Sequence, residues 1–275
     1  MKKLVLSAFT IVGLLATQEI IAQESGAYVK VNVGYGFATD KQFWDANTTQ
    51  NSTTSSTTEI VNLSLGKGIN FGGAFGYNFN KNVAAEIGVG YLLGGETTAT
   101  NKQLNGDIDK ITISAKMLQI NPTLVISAGM EKINPYAKFG LLLASGTITE
   151  NENNTFTGGS REIIKEFKGG IQLGFQGGLG VEYKLSENLG IFGELNLNSL
   201  SYSPNESTRT KDETKAGGIV ENNLIGDDVY DIKTVYEDSI TSSTSPPDRN
   251  APRKQLKNSK SFGSLGLNFG VKYNF

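Results

Sequence analysis

The sequence predicts an all-β protein, an eight-stranded antiparallel up-and-down transmembrane β-barrel. Three observations predict it. Apolar and polar residues alternate with a period of two over eight separate stretches. The connections between these stretches are alternately short and long, so that all the long ones fall at one end. The apolar faces carry aromatic residues near both strand ends, which forms two girdles at the interfaces of a bilayer.

The first element in the chain is an address rather than part of the fold. Lys2 and Lys3 precede the apolar stretch Leu4 to Ala16, and Ile-Ile-Ala ends at Ala22. That is the plan of a secretory signal peptide, residues 1–22. Its removal takes away Lys2, Lys3 and Glu19, and leaves residues 23–275 as the barrel domain. The apolar run is short of the ~20 residues that a spanning helix needs.

The strands follow in order. Val29, Val31, Val33, Tyr35 and Phe37 alternate with Lys30, Asn32, Gly34 and Gly36. Ile69, Phe71, Phe75, Tyr77 and Phe79 define the second, and Val83, Ala85, Ile87, Val89, Tyr91 and Leu93 the third. Leu118, Ile120, Leu124 and Ile126 mark the fourth, where Pro122 removes an N–H and predicts a bulge or a missing ladder bond. The fifth carries Ile133, Ala137, Phe139, Leu141 and Leu143, and the sixth Ile171, Leu173, Phe175, Leu179, Val181 and Tyr183. Leu189, Ile191, Leu195 and Leu197 form the seventh. The last carries Leu265, Leu267, Phe269, Val271, Tyr273 and Phe275.

Hairpin-sized turns are expected at 80–82, 129–132 and 185–188, where Asn, Gly and Ser collect. Between them lie four long polar stretches, near 38–66, 94–114, 145–168 and 200–260. Their composition predicts loops that bury nothing and are mobile at the tips.

An eight-stranded soluble barrel would turn its apolar face inward. Here the polar face is rich in Gly with Asn, Gln, Lys and Glu, which suits a crowded interior better than a water-facing surface. The girdles place Tyr35, Phe37, Phe71 and Tyr91 at one end and Phe79, Tyr183, Tyr273 and Phe275 at the other. The apolar face therefore meets lipid.

The ending Leu-Gly-Leu-Asn-Phe-Gly-Val-Lys-Tyr-Asn-Phe resembles the terminal strand of bacterial outer-membrane proteins. Gly177 to Ser203, with Gly-Gly-Leu-Gly-Val-Glu-Tyr followed by a short turn and Gly-Ile-Phe-Gly-Glu-Leu, resembles a hairpin of the small OmpA/OmpX-like, porin-like barrels. The resemblance implies the outer membrane of a diderm bacterium, short periplasmic turns, long extracellular loops and a monomer surrounded by lipid. It also implies that Leu267, Phe269, Val271, Tyr273 and Phe275 are read by the barrel-assembly machinery. The chain is expected to lack the peptidoglycan-binding domain of some family members.

Composition prunes the functions. The 275 residues include no Cys and no His, which removes thiol and imidazole nucleophiles, bases and metal ligands. A formal charge of −2 gives no electrostatic reason for nucleic acid. No enzyme activity, cofactor or metal is expected. Asp227, Asp228 and Asp231 lack the spacing of a cation loop, and the Gly34 and Gly88 regions lack the helix a nucleotide site needs. The pointed feature is a set of inward charges, Lys30, Glu86, Lys138, Glu182, Lys184, Glu194 and Lys272, expected in one layer near the short turns. They are read as a structural ion network that plugs the lumen, with a gate as the alternative. The function expected is a structural or surface-contact role through the loops and an extracellular partner. The alternative is a narrow channel for small or hydrophobic solutes.

Overall fold

The computed structural model describes residues 25–241 and 246–275, so the signal peptide expected at 1–22 lies outside the described residues. In chain order β1 (Gly26–Ala38) leads to a hairpin of β2 (Gln42–Ser52) and β3 (Ser55–Leu63). Then come β4 (Gly68–Asn78), β5 (Val83–Gly94), β6 (Thr97–Lys102), β7 (Ile108–Ser127) and β8 (Ile133–Phe156). β9 (Gly159–Lys168), β10 (Gln172–Lys184) and β11 (Leu189–Ser199) follow. The next segment holds β12 (Ser201–Tyr202), β13 (Glu206–Ala216), β14 (Ile219–Asn222), the helical turn α1 (Val229–Ile232), β15 (Lys233–Glu237), β16 (Arg253–Leu256) and β17 (Lys260–Ser261). β18 (Ser264–Asn274) comes last.

Among the described residues, eight of these strands close a ring. β1 pairs with β18 and β4, β4 with β5, and β5 with β7. β7 pairs with β8, β8 with β10, β10 with β11, and β11 with β18. All eight pairings are antiparallel, and closure leaves no strand edge open to lipid. They are the eight strands that alternation predicts. Outward side chains such as Val31, Phe75, Ile87, Phe139, Leu179 and Phe269 are exposed and together make a continuous apolar belt. Edge-to-face pairs Tyr35–Phe37 and Tyr273–Phe275 stand at its two ends.

The three short turns and both ends of the ring lie together. The Asn80 side chain accepts from the amides of Asn82 and Val83, and Asn134 accepts from Gly129 and Met130. The Phe275 amide donates to the Ala27 carbonyl. Pro122 acts as expected on the β8 side, where pairing stops after Ile120↔Leu143 and resumes at Thr123↔Gly140 with the register unchanged. A ladder bond is missing there, without a bulge.

The long connections differ from expectation. β9, β13, β15 and β16 extend the sheet outward from β8, while β6, β2 and β3 extend it from β7. Much of 38–66, 94–114, 145–168 and 200–260 is therefore strand. β7 and β8 pair with each other far beyond the belt, as far as Ile108↔Thr155. The cause is that most residues of these strands are exposed or half-buried in water, so Thr, Asn, Glu and Lys satisfy the ladder without the strict apolar period that lipid imposes. Nor do the loop stretches bury nothing. Leu63, Leu65, Ile113, Ile148, Leu200 and Tyr202 come from them and, with Phe262 just past the last stretch, turn in over the barrel mouth. There they pack with Leu92, Met117 and Leu142 in the largest buried apolar cluster among the described residues.

Candidate functional site

The lumen is the candidate site, and its side chains come from the inward positions of the eight ring strands. Tyr28, Gly76 and Glu86 stand directly opposite one another on three neighbouring strands. Tyr136, Gly180 and Glu194 repeat that row four strands further round the ring. The glycines are what make the rows work. A Cβ on Gly76 would lie 2.2 Å from the Tyr28 ring, and one on Gly180 would lie 2.3 Å from the Tyr136 ring. Each ring therefore lies flat across a glycine and reaches the carboxylate beyond it. Tyr28 donates to Glu86 at 2.7 Å and Tyr136 donates to Glu194 at 2.9 Å.

Lysines complete both rows. Lys30 Nζ is 2.5 Å from Glu86, and Lys138 Nζ is 2.5 Å from Glu194. A third pair, Lys272–Glu182 at 2.9 Å, has no counterpart in the other half among the described residues. Lys30 Nζ also lies 4.8 Å from the Tyr136 ring centre, 5.1 Å from Phe192 and 5.5 Å from Tyr28. Three aromatic faces thus share its charge near the middle of the barrel. All six charged side chains are buried or nearly so, and each carboxylate has its own ammonium partner. That pairing is what allows charge to be desolvated at all.

Six of the seven charges expected in one layer are therefore brought together as three pairs. Lys184 is not among them. It is half-buried and takes no carboxylate partner among the described residues; it lines a cavity of about 230 Å³ that opens at the turn end beside Glu187 and Lys272. The sequence reading missed Tyr28, which precedes Lys30 by two positions, as Tyr136 precedes Lys138. The repeated Tyr-x-Lys on an inward face was the available signal. The terminal-strand residues Leu267, Phe269, Val271, Tyr273 and Phe275 all face outward on the belt.

Above the ion layer the inward positions change character. Asn121, Asn196 and Asn268 are buried, and beyond them the apolar cluster of Leu92, Met117, Leu142, Leu200, Tyr202 and Phe262 fills the mouth. From turn end to loop end the lumen is thus an open vestibule, an ion layer, an amide layer and an apolar stopper. Outside the ring, the acidic stretch is turned to arginines rather than to a cation site. Asp227 pairs with Arg209, and Asp228 and Asp231 pair with Arg249.

Comparison with known proteins gives three kinds of result. The family model described as an outer membrane protein beta-barrel domain matches residues 5–225. No curated protein matches the chain. Among solved structures, Ail, the attachment invasion locus protein of Yersinia pestis in complex with the heparin analogue sucrose octasulfate, is 10% identical. That match covers 91% of this chain and 99% of the other, with a TM-score of 0.29. Acinetobacter baumannii CarO2 is 14% identical over 92% and 100%, with a TM-score of 0.31. The outer membrane protease OmpT of Escherichia coli is 9% identical over 91% and 94%, with a TM-score of 0.26. Likenesses this distant transfer no site and no ligand.

Proposed function

We propose, from the premise that this chain belongs to the outer membrane protein beta-barrel domain family, that its barrel is a sealed anchor whose task is carried by the β-structure beyond the belt. The protein is an integral component of the outer membrane of a diderm bacterium. The observation that carries the proposal is the double closure of the lumen. Three ion pairs fill it on the turn side and an apolar stopper fills it on the loop side. Either seal alone obstructs an eight-stranded barrel, whose interior is only wide enough for side chains. Two seals of unlike chemistry argue against a conduit.

The rest of the molecule supports a surface-contact role. Of the 24 residues of β8, a tilted strand needs only about 9–11 to cross the bilayer. The remainder rises ~35 Å above it, at ~3.3 Å per residue and a tilt of ~40°. This outer sheet is read as extracellular, with the short turns in the periplasm, and as the surface that meets an extracellular partner. The reading includes no catalytic step; a chain with no His lacks the commonest general base, and one with no Cys lacks a thiol nucleophile. It describes a monomer, because closure leaves no ring edge to pair with another copy.

Planar-bilayer recording on the refolded full chain tests the proposal against the channel alternative. The sealed anchor predicts an electrically silent protein. Stepwise currents of a fixed size would overturn it in favour of the narrow channel.

A further inference from the structure

Between the two seals the lumen holds a chamber of about 80 Å³, and all eight ring strands contribute to its wall. Its floor is made by Glu86 and Lys138 of the ion layer. On β5 and β7 the next inward residues above it are Leu92 and Met117, which belong to the stopper. The wall is built of amides, with Asn32, Asn70, Gln119, Asn121, Asn196 and Asn268 facing one another across it.

Three of these amides are unsatisfied by the protein. Asn196 is 2% exposed, and neither its Oδ1 nor its Nδ2 has a hydrogen-bond partner among the described residues. The same holds for Asn121 Nδ2 and Asn268 Oδ1, on side chains that are also buried. Buried polar atoms in folded proteins are almost always paired, and where the protein does not supply the partner an ordered water commonly does. The ion pairs beneath are neutral in sum, so nothing in the chamber calls for an ion. Primary amides supply donors and acceptors together.

We infer that this chamber is an occluded binding site for small uncharged molecules that both donate and accept hydrogen bonds, and that captive water occupies it in the resting protein. A chamber of this volume holds about three waters at roughly 30 Å³ each. Entry is from the loop side. Leu200 and Tyr202 immediately precede the 206–256 segment and Phe262 closely follows it, and β12 and β17 pair as a separate two-stranded sheet outside the ring ladder. Leu200, Tyr202 and Phe262, the part of the stopper outside the ring strands, can therefore shift without breaking a ring hydrogen bond. The inference rests on the sealed-lumen reading.

The test is magnetisation transfer from water to the side-chain amide protons of Asn121, Asn196 and Asn268. It is read by NMR on the refolded full chain in detergent micelles. The expected result is cross-peaks of opposite sign in the laboratory and rotating frames, which mark water that outlasts molecular tumbling. Tyr202→Ala with Phe262→Ala should convert them to the sign of fast-exchanging water. Asn196→Leu, which leaves the stopper intact, should weaken the transfer to Asn121 and Asn268. Absence of water contact at all three amides in the unaltered chain would overturn the inference while leaving the sealed lumen standing. Fast-exchange signs in the unaltered chain would overturn both, because the lumen would then be open.

Discussion

Lys138 and Glu194 lie 2.5 Å apart with side chains 13% and 3% exposed, so neither can be removed without stranding the other. Lys138→Met should destabilise the folded barrel by about 3–5 kcal/mol, the usual cost of leaving a buried charge unpaired. Adding Glu194→Gln should recover most of the loss. Urea unfolding in lipid vesicles, followed through the single Trp of the chain, Trp44, checks both. Equal stability of Lys138→Met and the unaltered chain would show a wet lumen. The outward face makes a matching prediction. Leu267 lies on the lipid belt and its neighbour Asn268 in the lumen. Leu267→Arg should cost about 2–4 kcal/mol at the bilayer midplane, and Asn268→Ala distinctly less, in the yield of heat-modifiable folded protein. At this scale the charges were legible and their supports were not. Lys30, Glu86, Lys138, Glu182, Glu194 and Lys272 stand out because charge on an otherwise Gly/Asn face is conspicuous. The role of Gly76 and Gly180 as beds for tyrosine rings depends on register across strands, which one strand's sequence does not carry.

The outer strands obey different physics from the ring strands. Lipid imposes a strict apolar alternation on the ring, so all eight elements could be read from sequence, including the ladder gap at Pro122. Water imposes no such pattern on β2, β3, β6, β9 and β13, whose Ser, Thr, Asn and charged residues read as loop. The stopper was hidden for a related reason. Leu63, Leu65, Tyr202 and Phe262 are scattered apolar residues in polar stretches, and only folding collects them. What holds the β9–β13 part of the sheet is Asp212, which is fully buried. Arg161 donates to both of its oxygens at 2.8 Å, and Arg209 and Asn223 donate as well. The hydrogen bonds from Arg161, first among these causes, hold the Asp212 carboxyl below its ordinary range. A depressed carboxyl pKa contributes stability above the unfolded value of about 3.9, and that contribution is lost as pH falls through the folded value. The outer sheet should therefore keep its amide protection from neutral pH down to about pH 4 and loosen only below that. Asp212→Asn should loosen β9 and β13 already at neutral pH and flatten the acid dependence. Hydrogen exchange at Ile163 and Glu213 reads both effects. An Asp212→Asn sheet as protected as the unaltered one would remove Asp212 from this role.

The molecule as a whole is polarised. Both ends of the ring and all three short turns occupy one end, while the outer sheet and the stopper occupy the other. On intact cells trypsin should cut at exposed Arg249 and Lys254 and leave the turns at Lys81, Lys132 and Lys184 untouched. Cleavage confined to those turns would invert the orientation. The central claim, that two independent seals close the lumen, is tested most directly by single-channel recording on four refolded chains. These are the unaltered protein, Lys138→Met with Glu194→Gln, Tyr202→Ala with Phe262→Ala, and the combination of all four substitutions. The account predicts that the first three are silent and that only the combination passes current. A steady current through the unaltered chain, or through either variant that keeps one seal, would contradict it.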